Sequence, residues 1–188
     1  EVIGYGENIM LGYHNLSKEE NERTIMKDGG LRTGDLGHLD EDGYLFITGR
    51  VAEQYKLENG KFVAPAPLEE SLKLSPYIDQ VMLYGLNKPY NIAIIVVAFP
   101  EVEKYAEDKG IKGGEEDLLK NELITKLITN HLEKYGKSFK GYEHPQKFYL
   151  SAEEWSIDNG LLTPTLKLKR DVVKKRFEKV IGELYQEK

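Results

Sequence analysis

Asp35 and Arg50 are the residues of this chain best spaced to do chemistry together. They belong to Leu31-Arg32-Thr33-Gly34-Asp35-Leu36 and its continuation Gly43-Tyr44-Leu45-Phe46-Ile47-Thr48-Gly49-Arg50. Between these stretches Asp40-Glu41-Asp42-Gly43 is a turn signal flanked by apolar alternation, the pattern of a β-hairpin. A hairpin brings Asp35 and Arg50 to neighbouring positions at one end of a sheet. A carboxylate that accepts two hydroxyls beside a guanidinium donor suits a ribose diol. A surface acid, a surface base and a tight turn fit the same spacing. The second concentration of chemistry is Leu162-Thr163-Pro164-Thr165-Leu166-Lys167-Leu168-Lys169-Arg170, where lysine alternates with leucine just before a helix start. A lysine on such an exposed strand or loop can reach a phosphate or carboxylate delivered by another domain, and a solvated basic patch fits the same residues.

Other chemistries lack their residues. There is no Gly-rich phosphate loop ending in Lys-Ser or Lys-Thr, no dinucleotide fingerprint, no paired-histidine zinc motif and no Gly-x-Ser-x-Gly elbow. Asp40-Glu41-Asp42-Gly43 lacks the later oxygen ligands and closing glutamate of a calcium loop. His14, His38, His131 and His144 are scattered and read as structural or exposed, so no protein-held metal is expected. The absence of cysteine excludes a disulfide framework, a thiolate metal site and a cysteine nucleophile.

These groups must be held by elements that the pattern predicts in turn. Ser17-Lys18-Glu19-Glu20 is a capping box and predicts a helix over about 18–27, stopped by Asp28-Gly29-Gly30. After the first hairpin, Val51 to Lys56 and Phe62-Val63-Ala64 flank a second turn, Leu57-Glu58-Asn59-Gly60-Lys61. Pro67 suits the first turn of a helix over Leu68–Leu74. Tyr77–Tyr84 and Asn91–Phe99 predict strands, the second central because it is rich in Ile and Val. A short helix follows over Glu101–Lys109. Leu118, Leu119, Leu123, Leu127, Ile128 and Leu132 then form one helical stripe ending at Gly136. Lys147–Leu150 predicts a further strand and Ile157–Thr165 a loop. Asp171 predicts the cap of a final helix carrying Val172, Val173, Phe177, Val180, Ile181 and Leu184.

The chain has 188 residues, length enough for one large domain or two small ones. With 40% hydrophobic and 31% charged residues it has the composition of a soluble globular protein. The net charge of −6 argues against general nucleic-acid binding but leaves room for a local basic cluster and a small anionic ligand. The longest apolar run, Ile92 to Phe99, falls short of the ~18 residues of a membrane span, and nothing reads as a signal peptide. The chain opens at Glu1 inside a strand-like run, so a piece of a longer protein is expected.

Taken in order, four blocks resemble the adenylate-forming acyl-CoA synthetases, and above all their long-chain fatty-acid branch. Gly6-Glu7-Asn8-Ile9-Met10-Leu11-Gly12-Tyr13 is similar to the family's G-x-N-x-M-x-G-Y block, and Arg32-Thr33-Gly34-Asp35-Leu36 to its R/H-T-G-D block. Gly49-Arg50 through Lys56, Gly60 and Pro65 to Glu69 resembles the hinge and the loop after it. Thr163-Pro164-Thr165-Leu166-Lys167 resembles the C-terminal lysine block in its long-chain form. The resemblance implies an α+β fold. Residues 1–49 would be the hairpin-rich end of a large AMP-binding domain, and 50–188 a small mobile C-terminal domain with a short antiparallel sheet and flanking helices.

The resemblance further implies a long-chain fatty acid–CoA ligase that uses ATP, Mg2+ and coenzyme A to make acyl-AMP and then acyl-CoA. By position Asp35 takes the ribose hydroxyls, Arg50 supports the ribose, Thr33 stands in the same nucleotide-binding block, and Lys167 bridges carboxylate and α-phosphate. Ala52 matches the pivot of the domain rotation, where many relatives carry Asp or Lys. Lys56 and Gly60 belong to the loop that serves the thioester step. Fatty acid, ATP and CoA are the expected partners, with no nucleic acid, and the rest of the N-terminal domain is missing, so the piece alone is expected to be inactive. The expected location is cytoplasmic, with peripheral membrane association open. The alternatives are another adenylate-former, such as a fatty acyl-AMP ligase or a carrier-protein-loading domain, and a non-catalytic α+β binding module.

Overall fold

The computed structural model describes residues 1–186, which form two compact units, one of residues 1–54 and one of residues 55–186. In the first unit, strand β1 (Ile3–Gly4) pairs antiparallel with β2 (Leu31–Arg32). Helix α1 is Lys18–Asn21. It carries the predicted capping box: the Ser17 hydroxyl accepts from Glu20 N and the Glu20 carboxylate accepts from Ser17 N. The helix stops far short of residue 27. Asn21 turns its side chain back on the chain before the helix, Nδ2 donating to Tyr13, Leu16 and Ser17 carbonyls. Ile25 then bridges to Leu31 instead of continuing the helix.

Strands β3 (Asp35–Leu39) and β4 (Leu45–Arg50) form the predicted hairpin, with Asp35 opposite Arg50 and a register shift between Leu36 and Gly37. Its turn is an Asp motif: Asp40 Oδ1 accepts from the backbone N of Asp42 at 3.0 Å and of Tyr44 at 2.8 Å. Gly43 takes the left-handed conformation, φ +84°, that this turn requires. Val51–Glu53 follows as a short 3-10 turn.

The second unit opens with a small hairpin, β5 (Tyr55–Lys56) and β6 (Phe62–Val63), followed by helix α2 (Pro65–Leu72). The helix begins at Pro65 rather than Pro67. Proline at the first position has no N–H to leave unsatisfied and its φ is already helical.

The core sheet has the order β7 (Ile78–Tyr84), β8 (Asn91–Val97), β9 (Pro145–Ser151). The Ile/Val run is central as predicted, antiparallel to β7. The third strand joins parallel to β8, so this sheet is mixed. All seven residues of β8 are buried. Because side chains alternate along a strand, Ala93, Ile95 and Val97 enter one apolar cluster with Leu68 and Leu72 of α2. Ile92, Ile94 and Val96 enter a second with Trp155, Leu161 and Leu162.

The long apolar stripe is two helices, α4 (Glu115–Leu119) and α5 (Glu122–Gly136), after α3 (Phe99–Asp108). Asn121 interrupts it by capping α5, its Oδ1 accepting from Leu123 N at 2.9 Å. Rotation after the break buries Ile124, Ile128 and Leu132 and leaves Leu123 48% exposed. The final helix is also divided, into α6 (Arg170–Arg176) and α7 (Glu178–Gln186). Lys169, not Asp171, precedes it as the cap residue, and Phe177 with φ −104°, ψ 19° makes the break. Val173, Phe177 and Ile181 still reach the second cluster, as the spacing predicted.

A buried polar hub ties the opening hairpin to the sheet. Tyr55 Oη donates to Asn91 Oδ1 at 2.8 Å, while Asn91 Nδ2 donates to the carbonyls of Tyr142 and Glu143 at 3.2 and 2.9 Å. Burial pushes the Tyr55 phenol far up, with the charge of Glu69 adding to it. Gly85 leaves room for this hub: a Cβ there would overlap Asn91 Oδ1 and approach Leu57 Cδ2 to 2.8 Å. Gly85→Ala is therefore expected to lower the unfolding free energy by about 1–3 kcal/mol, as overpacking of an interior does. Urea denaturation of the chain checks it, and an unchanged midpoint would show that the hub yields.

Candidate active-site residues

In the first unit the structure brings Thr33, Asp35 and Arg50 together. Thr33 sits past the end of β2, and its hydroxyl donates to Val2 O at 2.8 Å and accepts from Asp35 N at 3.0 Å. Gly34, φ +73°, makes the corner between them. Val2 N donates to Asp35 O at 2.7 Å, so the Asp35 backbone is fixed on both sides. Across the hairpin Arg50 Nε donates to Asp35 Oδ1 at 2.6 Å. The pair is open to solvent, with the side chains 53% and 30% exposed for Arg50 and Asp35. The Asp35 carboxylate, as hydrogen-bond acceptor and as charge, holds the Arg50 guanidinium above its ordinary pKa. The result is an anchored, solvent-facing carboxylate beside a fixed cation, an arrangement with acceptors for a diol and a donor for an anion.

Ala52 is exposed in the 3-10 turn Val51–Glu53, just before the second unit begins. In the second unit Lys56 ends β5 and Gly60 lies in the β5–β6 turn. Leu57 N donates to Lys61 O and Gly60 N to Leu57 O, each at 2.9 Å, and Gly60 takes φ +83°. The Lys56 ammonium lies 5.7 Å from the Phe62 ring centroid, on the exposed side of the hairpin.

Lys167 is presented by a loop closed at three levels. Lys169 N donates to Leu161 O at 2.9 Å, Leu162 and Leu168 form an antiparallel bridge, and Thr163 N donates to Lys167 O at 2.8 Å. The Thr163 hydroxyl accepts from Lys167 N at 3.0 Å, so one threonine holds both backbone groups of the lysine. Leu161 and Leu162 root the loop in the second apolar cluster, while Lys167 itself is exposed. Its neighbour Leu166 stands at φ +59°, a left-handed conformation costly for a side chain with a Cβ. The loop thus spends strain to turn the chain beside the lysine.

The sequence blocks include Glu69 and Arg170, but nothing in them pairs the two or gives either a role. Glu69 is 5% exposed, and Arg170 Nη1 donates to its Oε1 at 2.9 Å while Nη2 donates to Oε2. Glu69 stands between Leu68 and Leu72 on the buried side of α2, and an acid in that position was the available signal. Among the described residues no three histidine, aspartate or glutamate side chains gather where they could hold a metal.

The family model of the AMP-binding enzyme C-terminal domain matches residues 53–188. Long-chain-fatty-acid–CoA ligase 5 of Rattus norvegicus is 35% identical over 99% of this chain and 28% of its own length. Fatty acyl-CoA synthetase B of Dictyostelium discoideum is 35% identical over 98% of this chain, again 28% of its own length. The chain therefore spans little more than a quarter of the curated relatives it matches. Among solved structures, the A domain of a carboxylic acid reductase from Segniliparus rugosus, in complex with AMP and a co-purified carboxylic acid, superposes with TM-score 0.76. It is 26% identical and covers 96% of this chain and 27% of its own.

The strain at Leu166 has a measurable consequence. Its side chain is 69% exposed, so little burial is lost on removing it. Leu166→Gly is expected to raise the unfolding free energy by about 0.5–1 kcal/mol, relief of the left-handed cost less glycine's extra chain entropy. Chemical denaturation of both chains checks it, and a destabilised variant would show that the leucine side chain is needed.

Proposed function

Because this chain belongs to the AMP-binding enzyme C-terminal domain family, we propose that it is the C-terminal part of a long-chain fatty acid–CoA ligase. The observation that carries the reading is the match along 99% of the chain, at 35% identity, to a relative named for that activity. The fatty carboxylate attacks the α-phosphate of ATP, giving acyl-AMP and pyrophosphate. The thiol of coenzyme A then attacks the acyl carbon, giving the thioester and releasing AMP.

Each residue has a task of its own. Asp35 takes the ribose hydroxyls, with Arg50 beside it and Thr33 holding its backbone. Lys167, exposed at the tip of a fixed loop, brings a cation to the meeting of two anions and offsets the charge that builds on the α-phosphate. Magnesium bound to the ATP phosphates would neutralise part of their charge, with Lys167 offsetting the remainder at the α-phosphate. Ala52 absorbs the rotation between half-reactions, a task of backbone that needs no polar side chain. The turn of Lys56 and Gly60 then faces the pantetheine arm.

A second reading has its own support in the likeness to the carboxylic acid reductase A domain. In it the acyl-AMP is formed in the same way, but the acyl group goes to a carrier protein. Release of acyl-CoA from free coenzyme A by the full-length enzyme separates the two.

In the full-length enzyme Lys167→Ala is expected to slow acyl-AMP formation about 100-fold or more, the usual loss of a group that meets transition-state charge. Conversion of supplied acyl-AMP to thioester should keep its rate, and equal losses in both half-reactions would overturn the role of Lys167. Asp35→Ala is expected to weaken ATP binding by about 10-fold or more, since hydrogen bonds to a charged group are lost. Calorimetric titration with ATP reads this, and an unchanged affinity would remove the ribose assignment.

A further inference from the structure

Glu69 is a buried carboxylate for which the two-step reaction has no use. Three N–H donors converge on it: Leu83 N at 2.6 Å, Arg170 Nη1 at 2.9 Å and Arg170 Nη2. Its side chain is 7% exposed and that of Arg170 28%. Such a pair is an expensive way to hold two helices together. The desolvation of both ions offsets their attraction, and apolar side chains of similar volume stabilise as well. What a carboxylate facing a guanidinium adds is direction, because the planar fork accepts only one approach.

The direction matters because of where Arg170 stands. It is the first residue of α6, next to Lys169, whose N–H closes the base of the lysine loop on Leu161 O. One foot of the loop is rooted by Leu161 and Leu162 in the apolar cluster. The other foot has an exposed Lys169 and then the Arg170 fork on Glu69. Between the feet lie the strained Leu166 and the exposed Lys167. A strained turn holds its shape only while its surroundings over-determine it. Glu69 is in turn fixed to Leu83 N on β7, one of the two edge strands of the sheet, and so carries the position of the sheet to the loop.

We propose that Glu69 is a positioning residue for Lys167: through Arg170 it fixes the second foot of the 161–169 loop, and so the place at which the ammonium meets the reacting anions. This rests on the role given to Lys167 above. Glu69 touches no substrate in this scheme. Its loss acts on the adenylation step, in which Lys167 works, and leaves the thioester step alone.

The test compares Glu69→Gln, Arg170→Lys and Lys167→Ala in the full-length enzyme, singly and with each of the first two combined with the third. Glu69→Gln is expected to slow acyl-AMP formation about 10-fold or more, as small misplacements of a reacting group do, with KM for ATP and fatty acid unchanged. Thioester formation from supplied acyl-AMP should stay within about twofold, and Glu69→Gln should add nothing to Lys167→Ala, because both act through one ammonium. Arg170→Lys keeps the charge without the fork. It should give the same pattern at smaller amplitude, and it carries the test where Glu69→Gln does not fold.

Equal losses in both half-reactions, or losses that add to that of Lys167→Ala, would mean that the pair serves stability alone, and would overturn the proposal. Amide hydrogen exchange gives a readout independent of activity. The Thr163, Lys167 and Lys169 amides should exchange faster in Glu69→Gln while those of β8 keep their protection, and unchanged exchange at the three would also overturn it. Faster exchange beside a Lys167→Ala enzyme that adenylates at full rate would instead overturn the catalytic role of Lys167 and leave the dependence of the loop on Glu69 intact.

Discussion

Burial of β8 on both faces is the constraint from which the rest of the second unit follows. A strand whose seven residues all avoid water cannot lie on the surface of a single layer. Ala93, Ile95 and Val97 need one cover, and α2, α3 and α5 supply it. Ile92, Ile94 and Val96 need another, and Trp155, the root of the lysine loop and the last two helices supply that. The lysine loop is thus part of the wall of a core. Its exposed tip has a stiff base because Leu161 and Leu162 are packed where they must be dry. The Glu69–Arg170 pair then joins the two covers past the β7 edge, where Leu83 N offers a donor that β8 does not use.

Much of this was legible in local pattern. The Ile/Val run identified the central strand, Asp40 to Gly43 identified the first turn, and Ser17 with Glu20 identified a helix start. These signals are short-range and the physics behind them is too: period, turn geometry and capping act within a few residues. The stripe from Leu118 to Leu132 misled for the same reason. Period alone cannot see that Asn121 prefers to cap a new helix rather than continue an old one. Phe177 likewise kept its place in the apolar pattern while breaking the helix that carried it.

What remained hidden depends on partners distant in sequence. Nothing local says that β9 will lie parallel to β8, because the crossover through α3, α4 and α5 decides it. Glu69 and Arg170 are 101 positions apart, and each by itself reads as an ordinary charge on a helix. Asp35 and Arg50 were easier, being joined by one tight turn whose geometry sets their register. The candidate site was therefore legible where a single hairpin makes it. The support behind the lysine depends on the whole sheet and was not.

Tyr185 gives the order of assembly a particular shape. Its hydroxyl donates to Tyr84 O at 2.9 Å and Tyr90 O at 3.1 Å, so α7 closes over the connection between the first two strands of the sheet. On a ribosome those strands emerge long before the helix that covers them. Until residues near 185 follow, the side of β8 that carries Ile92, Ile94 and Val96 lacks part of its apolar cover. Helix α7 is thus the seal on that side of the sheet, and the second apolar cluster can close only after the helix has been made.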